Sequence, residues 1–264
     1  MSEAFEELYQ PLPSIEAYLE RIGIAKAVSP SAAFLDELIR SHQTHVPFEN
    51  LDIYENGLVP DLGIAALFDK IVTRKRGGYC FELNALFAAL LKAIGYDVQP
   101  CMGRVLLHPD PRPLVRHRAN IVTIGRERYL ADVGFGGPMP PFALLVEDGA
   151  ARSDGRRAFA VRKHDDLWWN IGYAGNGETE RVVLSVCDVP VGEEDFVPLS
   201  FYQAQAPDSV FRHNRMTNIR TESGALNLRN STLTTYDGPE KTVTEFESEA
   251  DIARLLREKF GIEL

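Results

Sequence analysis

The chain reads as an α+β protein whose helices and strands are segregated along the sequence. Two observations carry that reading. Apolar residues recur at helical spacing through residues 1–95, with start and stop residues around each helix, and beyond Gly95 the chain changes to short β-branched and aromatic runs broken by Gly, Pro and Asp. The last stretch mixes strand-like pieces with one more amphipathic helix.

The first helix follows Pro13, with Ile15, Tyr18, Leu19 and Ile22 on one face and Gly23 as its stop. The second is expected to take Ser29 as cap and Pro30 as its first residue, turning Phe34, Leu35, Leu38 and Ile39 inward. A third runs from Asp61 through Ile64, Leu67, Phe68 and Ile71. The fourth has the clearest pattern: over residues 80–94, Leu83, Leu86, Phe87, Leu90, Leu91 and Ile94 share a face, and Gly95 ends the run. Strands are expected over residues 120–124, 129–133, 159–162 and 181–186. Residues 108–113 and 134–141 read as loops, because proline removes ladder donors and glycine weakens strand interiors. In the tail, strand-like pieces over 223–235 lead through Asp237-Gly238-Pro239 to a helix over 249–260 that ends at Gly261.

Composition bounds the function. The chain has 264 residues, 45% of them hydrophobic and 25% charged, so it can bury a core. A net charge of −10 repels phosphate backbones and anionic lipid, which argues against nucleic acid as a partner. No stretch approaches the ~20 apolar residues of a membrane span, and the acidic opening lacks a signal core, so a cytoplasmic protein is expected. Cys80, Cys101 and Cys187 form no C-x-x-C pair, which argues against a disulfide framework or structural zinc.

Cys80 falls in the first turn of the fourth helix, where the partial positive charge of the terminus favours a thiolate. Gly77 and Gly78 free the backbone for a close approach to substrate, and Arg74, Lys75 and Arg76 add positive potential. Cys101 and Cys187 lie in apolar strand-like runs and read as core residues. A cysteine nucleophile needs a base held in orientation by a third group. His42, His45, His108, His164 and His213 read as solvated, whereas His117 leads into a β-hairpin that turns near Gly125 and returns to Asp132. That geometry sets His117 and Asp132 nearly opposite each other on adjacent strands, as an oriented imidazole or as a polar cross-strand pair. The glycine-rich stretch after Asp132 can bring amides and the Phe135 ring close to a ligand. Phe48, in Val46-Pro-Phe-Glu-Asn-Leu-Asp-Ile53, reads first as a core residue beside a helix end. Six arginines between 104 and 128, against Asp110 and Glu127, suggest a local positive patch suited to a phosphorylated ligand.

Together, Arg76-Gly-Gly-Tyr-Cys-Phe-Glu-Leu-Asn84, His117 and Asp132-Val-Gly-Phe-Gly-Gly137 resemble the arylamine N-acetyltransferase family. Pro47-Phe-Glu-Asn-Leu51, Pro207-Asp-Ser-Val-Phe-Arg-His-Asn214 and Leu226-Asn-Leu-Arg-Asn230 extend the match along nearly the whole chain. The resemblance implies Cys80 as acetyl-accepting nucleophile, His117 as its base and Asp132 as the group orienting His117. It implies an α+β fold with a cysteine-proteinase-like catalytic core: an N-terminal helical bundle over 1–95, a β-barrel-like domain over 96–200 and a C-terminal α/β lid over 201–264. Phe135, Gly134, Gly136 and Phe48 become the candidates for substrate contact. Acetyl-coenzyme A is the implied donor, with no metal, and an aromatic amine, hydrazine or N-hydroxyarylamine the implied acceptor in a ping-pong reaction. An amide synthase of the same fold acting on a polyketide-like acyl chain, or a non-catalytic binding relative, are the alternatives. Where relatives commonly carry Thr before the base histidine, this chain has Arg116.

Overall fold

The structure is a computed structural model and describes residues 3–175 and 178–263. Its helices are α1 (Ile15–Arg21), α2 (Ala32–His45), α3 (Leu51–Asn56), α4 (Ile64–Phe68), α5 (Cys80–Ile94), α6 (Phe196–Gln205), α7 (Val210–His213) and α8 (Glu249–Phe260). One sheet follows α5: β2 (Asp97–Val105), β3 (His117–Ile124), β4 (Glu127–Ala131), β5 (Leu144–Leu145), β6 (Ala151–Ser153), β7 (Arg157–Lys163), β8 (Trp168–Gly175) and β9 (Arg181–Cys187). Its eight strands run in the order β5-β4-β3-β2-β9-β8-β7-β6, and β5 returns against β6 and β7, curling the sheet almost into a barrel. A second sheet joins β10 (Met216–Arg220), β11 (Gly224–Arg229), β12 (Thr232–Asp237) and β13 (Glu240–Glu245) to β1 (Phe48–Glu49), which comes from the helical part and pairs with β10.

Three apolar clusters hold these layers together. The first lies among α1, α2, α4 and α5, the second fills the curled sheet, and the third is where Ile252, Leu255, Leu256 and Phe260 of α8 cover Leu228 and Leu233 of the second sheet. Helix α5 is the centre of the first: Leu83, Leu86, Phe87, Leu90 and Leu91 are all fully enclosed, each contributing about 1.5–3 kcal/mol relative to exposure. Its boundaries agree with the sequence pattern, as do those of α8.

Several expectations need correcting. The cap of α2 is Ser31 rather than Ser29: Ser31 Oγ accepts from the Phe34 amide, and Pro30 lies before the helix. The third helix begins at Ile64, because Asp61 Oδ1 takes the Gly63 amide in a turn, and it continues as one π turn over Asp69–Thr73. The β3–β4 hairpin has a two-residue turn at Gly125–Arg126, pairing Ile124 with Glu127 and Asn120 with Ala131. Asp132 therefore lies past the end of β4 and two residues out of register with a directly opposed His117. Strand β8, strand β13 and helix α6 escaped the sequence pattern, and Cys187 is only half-buried.

His42 is the largest departure among the histidines. It lies inside the bundle on α2, 5.5 Å in ring-centroid distance from Phe87 and 6.0 Å from Tyr18. Neither ring nitrogen has a hydrogen-bond partner among the described residues. Burial pushes its pKa from an ordinary 6.5 down to about 3, with Arg21 and His45 adding to the effect. The folded state thus carries His42 neutral where the unfolded chain protonates it. Stability from this site is intact above pH 6.5 and falls by about 1.4 kcal/mol per pH unit below it. Urea midpoints measured at pH 5 and pH 7 are expected to lie further apart for the wild type than for His42→Leu; equal separations would disprove the account.

Candidate active site

Helix α5 begins at Cys80 for a local reason. The Glu82 carboxylate folds back to accept the Tyr79 amide at 3.1 Å, closing the first turn and fixing the direction from which the thiol leaves the backbone. Beneath that turn lies a buried network: Lys70 bridges Asp52 and Glu82, each at 2.7 Å, and Arg76 bridges Glu49 at 2.9 Å and Asp52 at 3.0 Å. Burial pushes the Glu82 carboxyl up to about 7 against the pull of Lys70. Arg76 is therefore consumed in structure rather than offering charge to a ligand. The space beside Gly77 and Gly78 is likewise taken by protein, by the Pro47 carbonyl and the Glu82 side chain, not left for substrate.

His117 opens β3 with its ring enclosed. Its Nε2 meets Asp132 Oδ2 at 2.7 Å, which leaves Nδ1 as the nitrogen for the neighbouring Cys80 sulfur. Burial alone would lower the His117 pKa, but the Asp132 carboxylate and the Cys80 contact overcome it and raise the pKa to about 10. Asp132 is held from its other oxygen: Oδ1 accepts from Asn84 Nδ2 at 2.9 Å and from the Gly134 amide at 2.8 Å. Asn84 also donates to the Arg118 carbonyl and accepts the Val133 amide at 3.0 Å. One turn beyond Cys80 on α5, Asn84 thus ties the helix to β3 and to the segment that follows β4. The sequence offered no mechanism for it, since its partners are 34 to 49 residues away.

The four remaining candidates gather around the same point. A Cβ at Gly134 would sit 2.9 Å from Cys80 Cα and from Asn84 Nδ2, so only glycine lets this backbone rest on the nucleophile's turn. Phe135 meets the His117 ring edge-on, with centroids 5.5 Å apart. Gly136 packs against the face of Phe48, which is buried in β1. Phe48 in turn contacts Phe211 of α7, which stands edge-on to Tyr79. Phe211 went unassigned in the sequence, because nothing local marks a residue whose neighbours come from two other elements.

The six arginines do not form a single patch. Arg118 is 1% exposed, pairs with Glu193 at 2.6 Å and stacks on Phe196, while Arg128 pairs with Asp188 and Arg104 lies over Trp168. Among the described residues, no helix is long and apolar enough to cross a membrane, and no group of three or more His, Cys, Asp or Glu could hold a metal ion.

Known proteins resemble this chain in sequence and fold. Residues 32–264 match the N-acetyltransferase family. An arylamine N-acetyltransferase of Mycolicibacterium smegmatis is 30% identical, over 94% of this chain and 91% of its own length. The solved structure of the M. smegmatis arylamine N-acetyltransferase superposes with a TM-score of 0.89 at 30% identity, covering 95% of this chain and 93% of that one. The arylamine N-acetyltransferase of Mycobacterium marinum in complex with CoA gives a TM-score of 0.87 at 28% identity, covering 94% and 93%.

Proposed function

Because the chain belongs to the arylamine N-acetyltransferase family, we propose that it transfers acetyl groups from acetyl-coenzyme A to aromatic amines, hydrazines or N-hydroxyarylamines through an acetyl-Cys80 thioester. The observation that carries this reading is the enclosed row Cys80–His117–Asp132, at the first turn of a helix and faced by aromatic rings. Cys80 gives its proton to His117 and its sulfur attacks the acetyl carbonyl. The carbon–sulfur bond to coenzyme A then breaks, and His117 returns the proton to the leaving sulfur. In the second half the amine nitrogen attacks the thioester, His117 takes a proton from it, and Cys80 leaves. Asp132 keeps the imidazole oriented and stabilises its protonated form throughout.

Phe135 and Phe48, with Gly134 and Gly136 between them, serve as walls of the acceptor pocket, which suits a flat aromatic ring. Residues 1–95, 96–200 and 201–264 act as nucleophile-bearing bundle, base-bearing barrel and lid. A cytoplasmic location is supported by the free state of Cys80, Cys101 and Cys187, since lasting disulfides belong to oxidising compartments. The surface charge of −10 disfavours nucleic acid as a partner.

Intact mass tests the reading directly. Brief exposure to acetyl-coenzyme A without amine is expected to add one acetyl group, and an arylamine added afterwards to remove it. No gain with acetyl-coenzyme A, but a gain with a longer acyl thioester, would select the amide synthase instead. No gain with either would point to a non-catalytic relative.

A further inference from the structure

The segment that follows β4 carries Asp132 at its start and Phe135 within it, yet residues 132–143 contain no strand or helix. Pro138, Pro140 and Pro141 have no N–H, so this stretch cannot fasten itself with a backbone ladder. Side chains from elsewhere take its carbonyls instead. Asn218 Nδ2 donates to the Gly136 carbonyl at 2.8 Å, and Arg220 Nη2 donates to the Met139 carbonyl. Asn218 and Arg220 are two apart on β10 and so share a face of the strand. From α2, Gln43 Nε2 donates to the carbonyls of Asp132 and Pro140, both at 3.1 Å.

Arg220 Nε completes the arrangement by donating to Gln43 Oε1 at 2.9 Å. These partners determine the orientation of the Gln43 amide: reversed, its oxygen would face two carbonyl oxygens and its NH2 a guanidinium. Among the described residues Arg220 makes no ion pair, and its hydrogen bonds go to Gln43 and to the loop. Asp132 is consequently held twice, its carboxylate by Asn84 and the Gly134 amide, its backbone carbonyl by Gln43.

We propose that Gln43 and Arg220 are positioning residues for acyl transfer: bonded to each other, they bracket the 132–141 segment between α2 and β10 and so set where Asp132 meets His117 and where Phe135 stands. The proposal rests on the Cys80–His117–Asp132 reading. Neither residue touches a reacting atom. Their effect belongs to the geometry of the acylation step and not to the affinity for the donor.

The test is single-turnover acetylation of Cys80 in the full chain, followed by intact mass over a range of acetyl-coenzyme A concentrations. Gln43→Glu keeps an acceptor for Arg220 but has no N–H for the two carbonyls; Arg220→Met removes both donors, and Arg220→Lys restores an ammonium that can reach them. Gln43→Glu and Arg220→Met are expected to slow the saturated rate by about tenfold or more, with half-saturation changed less than about twofold, and Arg220→Lys to recover most of the loss. Wild-type saturated rates in Gln43→Glu and Arg220→Met, with melting temperatures unchanged, would overturn the proposal. So would a deficit in Arg220→Met that lysine does not recover. If Gln43→Glu melts early, the two Arg220 variants carry the comparison from the other side of the bracket. A wild-type protein that takes no acetyl group on Cys80 would instead refute the site reading beneath it.

Discussion

Cys80→Ala is expected to take no acetyl group from acetyl-coenzyme A and to show no arylamine acetylation above the uncatalysed rate. Cys80→Ser is the more searching variant. Serine fills nearly the same space and keeps the polar contact with His117, but an alcohol holds its proton far more tightly than a thiol. The Cys80 contact is itself one of the causes that raise the His117 pKa, so that support is altered in the serine variant, and an imidazole removes a hydroxyl proton far less readily than a thiol proton. The serine variant should thus fall by several orders of magnitude in acetyl transfer while melting close to the wild type. Substantial turnover by Cys80→Ser would mean that the acetyl group never passes through residue 80.

The second large effect is expected at Asp132→Asn, and the hydrogen bonds around this carboxylate specify how it fails. Oδ1 receives two N–H groups, from Asn84 and Gly134, so the substituted amide must keep its oxygen there. Its NH2 then faces His117 Nε2, which must accept, and the imidazole proton is driven to Nδ1, the nitrogen toward the thiol. A nitrogen that already carries hydrogen cannot take the proton from Cys80. The loss in kcat should reach about 10⁴-fold, as for the same change in a serine protease triad, with little change of fold. Alkylation of Cys80 by iodoacetamide at pH 6 should slow in parallel. A loss of less than tenfold in a well-folded variant would remove Asp132 from the mechanism.

Local signals account for what was legible in the sequence. Helix α5 could be read to the residue because its apolar face, its start after two glycines and its stop at Gly95 all lie within about twenty positions. The hairpin joining His117 to Asp132 was visible for the same reason, but its register was not, because a two-residue turn and one extra pair at the strand ends shift partners without changing the alternation. Buried polar residues were the least readable. Asn84, Gln43 and Arg220 look like ordinary surface types until the carbonyls they serve are folded against them, and Gln43 and Arg220 are 177 positions apart. His42 failed for the opposite reason: its place at the end of a polar-looking helix concealed its inward direction.

The pairing of Phe48–Glu49 with Thr217–Asn218 has a consequence for synthesis on the ribosome. This short strand bonds early only to Gly78, whose carbonyl accepts the Glu49 amide at 2.9 Å, and its partner strand β10 follows some 170 residues later, a wait on the order of ten seconds or more at about 5–20 residues per second. During that interval the segment that carries Asp132 and Phe135 lacks the Asn218 and Arg220 side chains that take its carbonyls. The thiol is therefore made well before the segment that carries Asp132 is fully fastened. A chain stalled short of β10 would leave that segment unfastened on one of its two supports, so completion of the last sheet is also the step that fixes the third member of the Cys80–His117–Asp132 row.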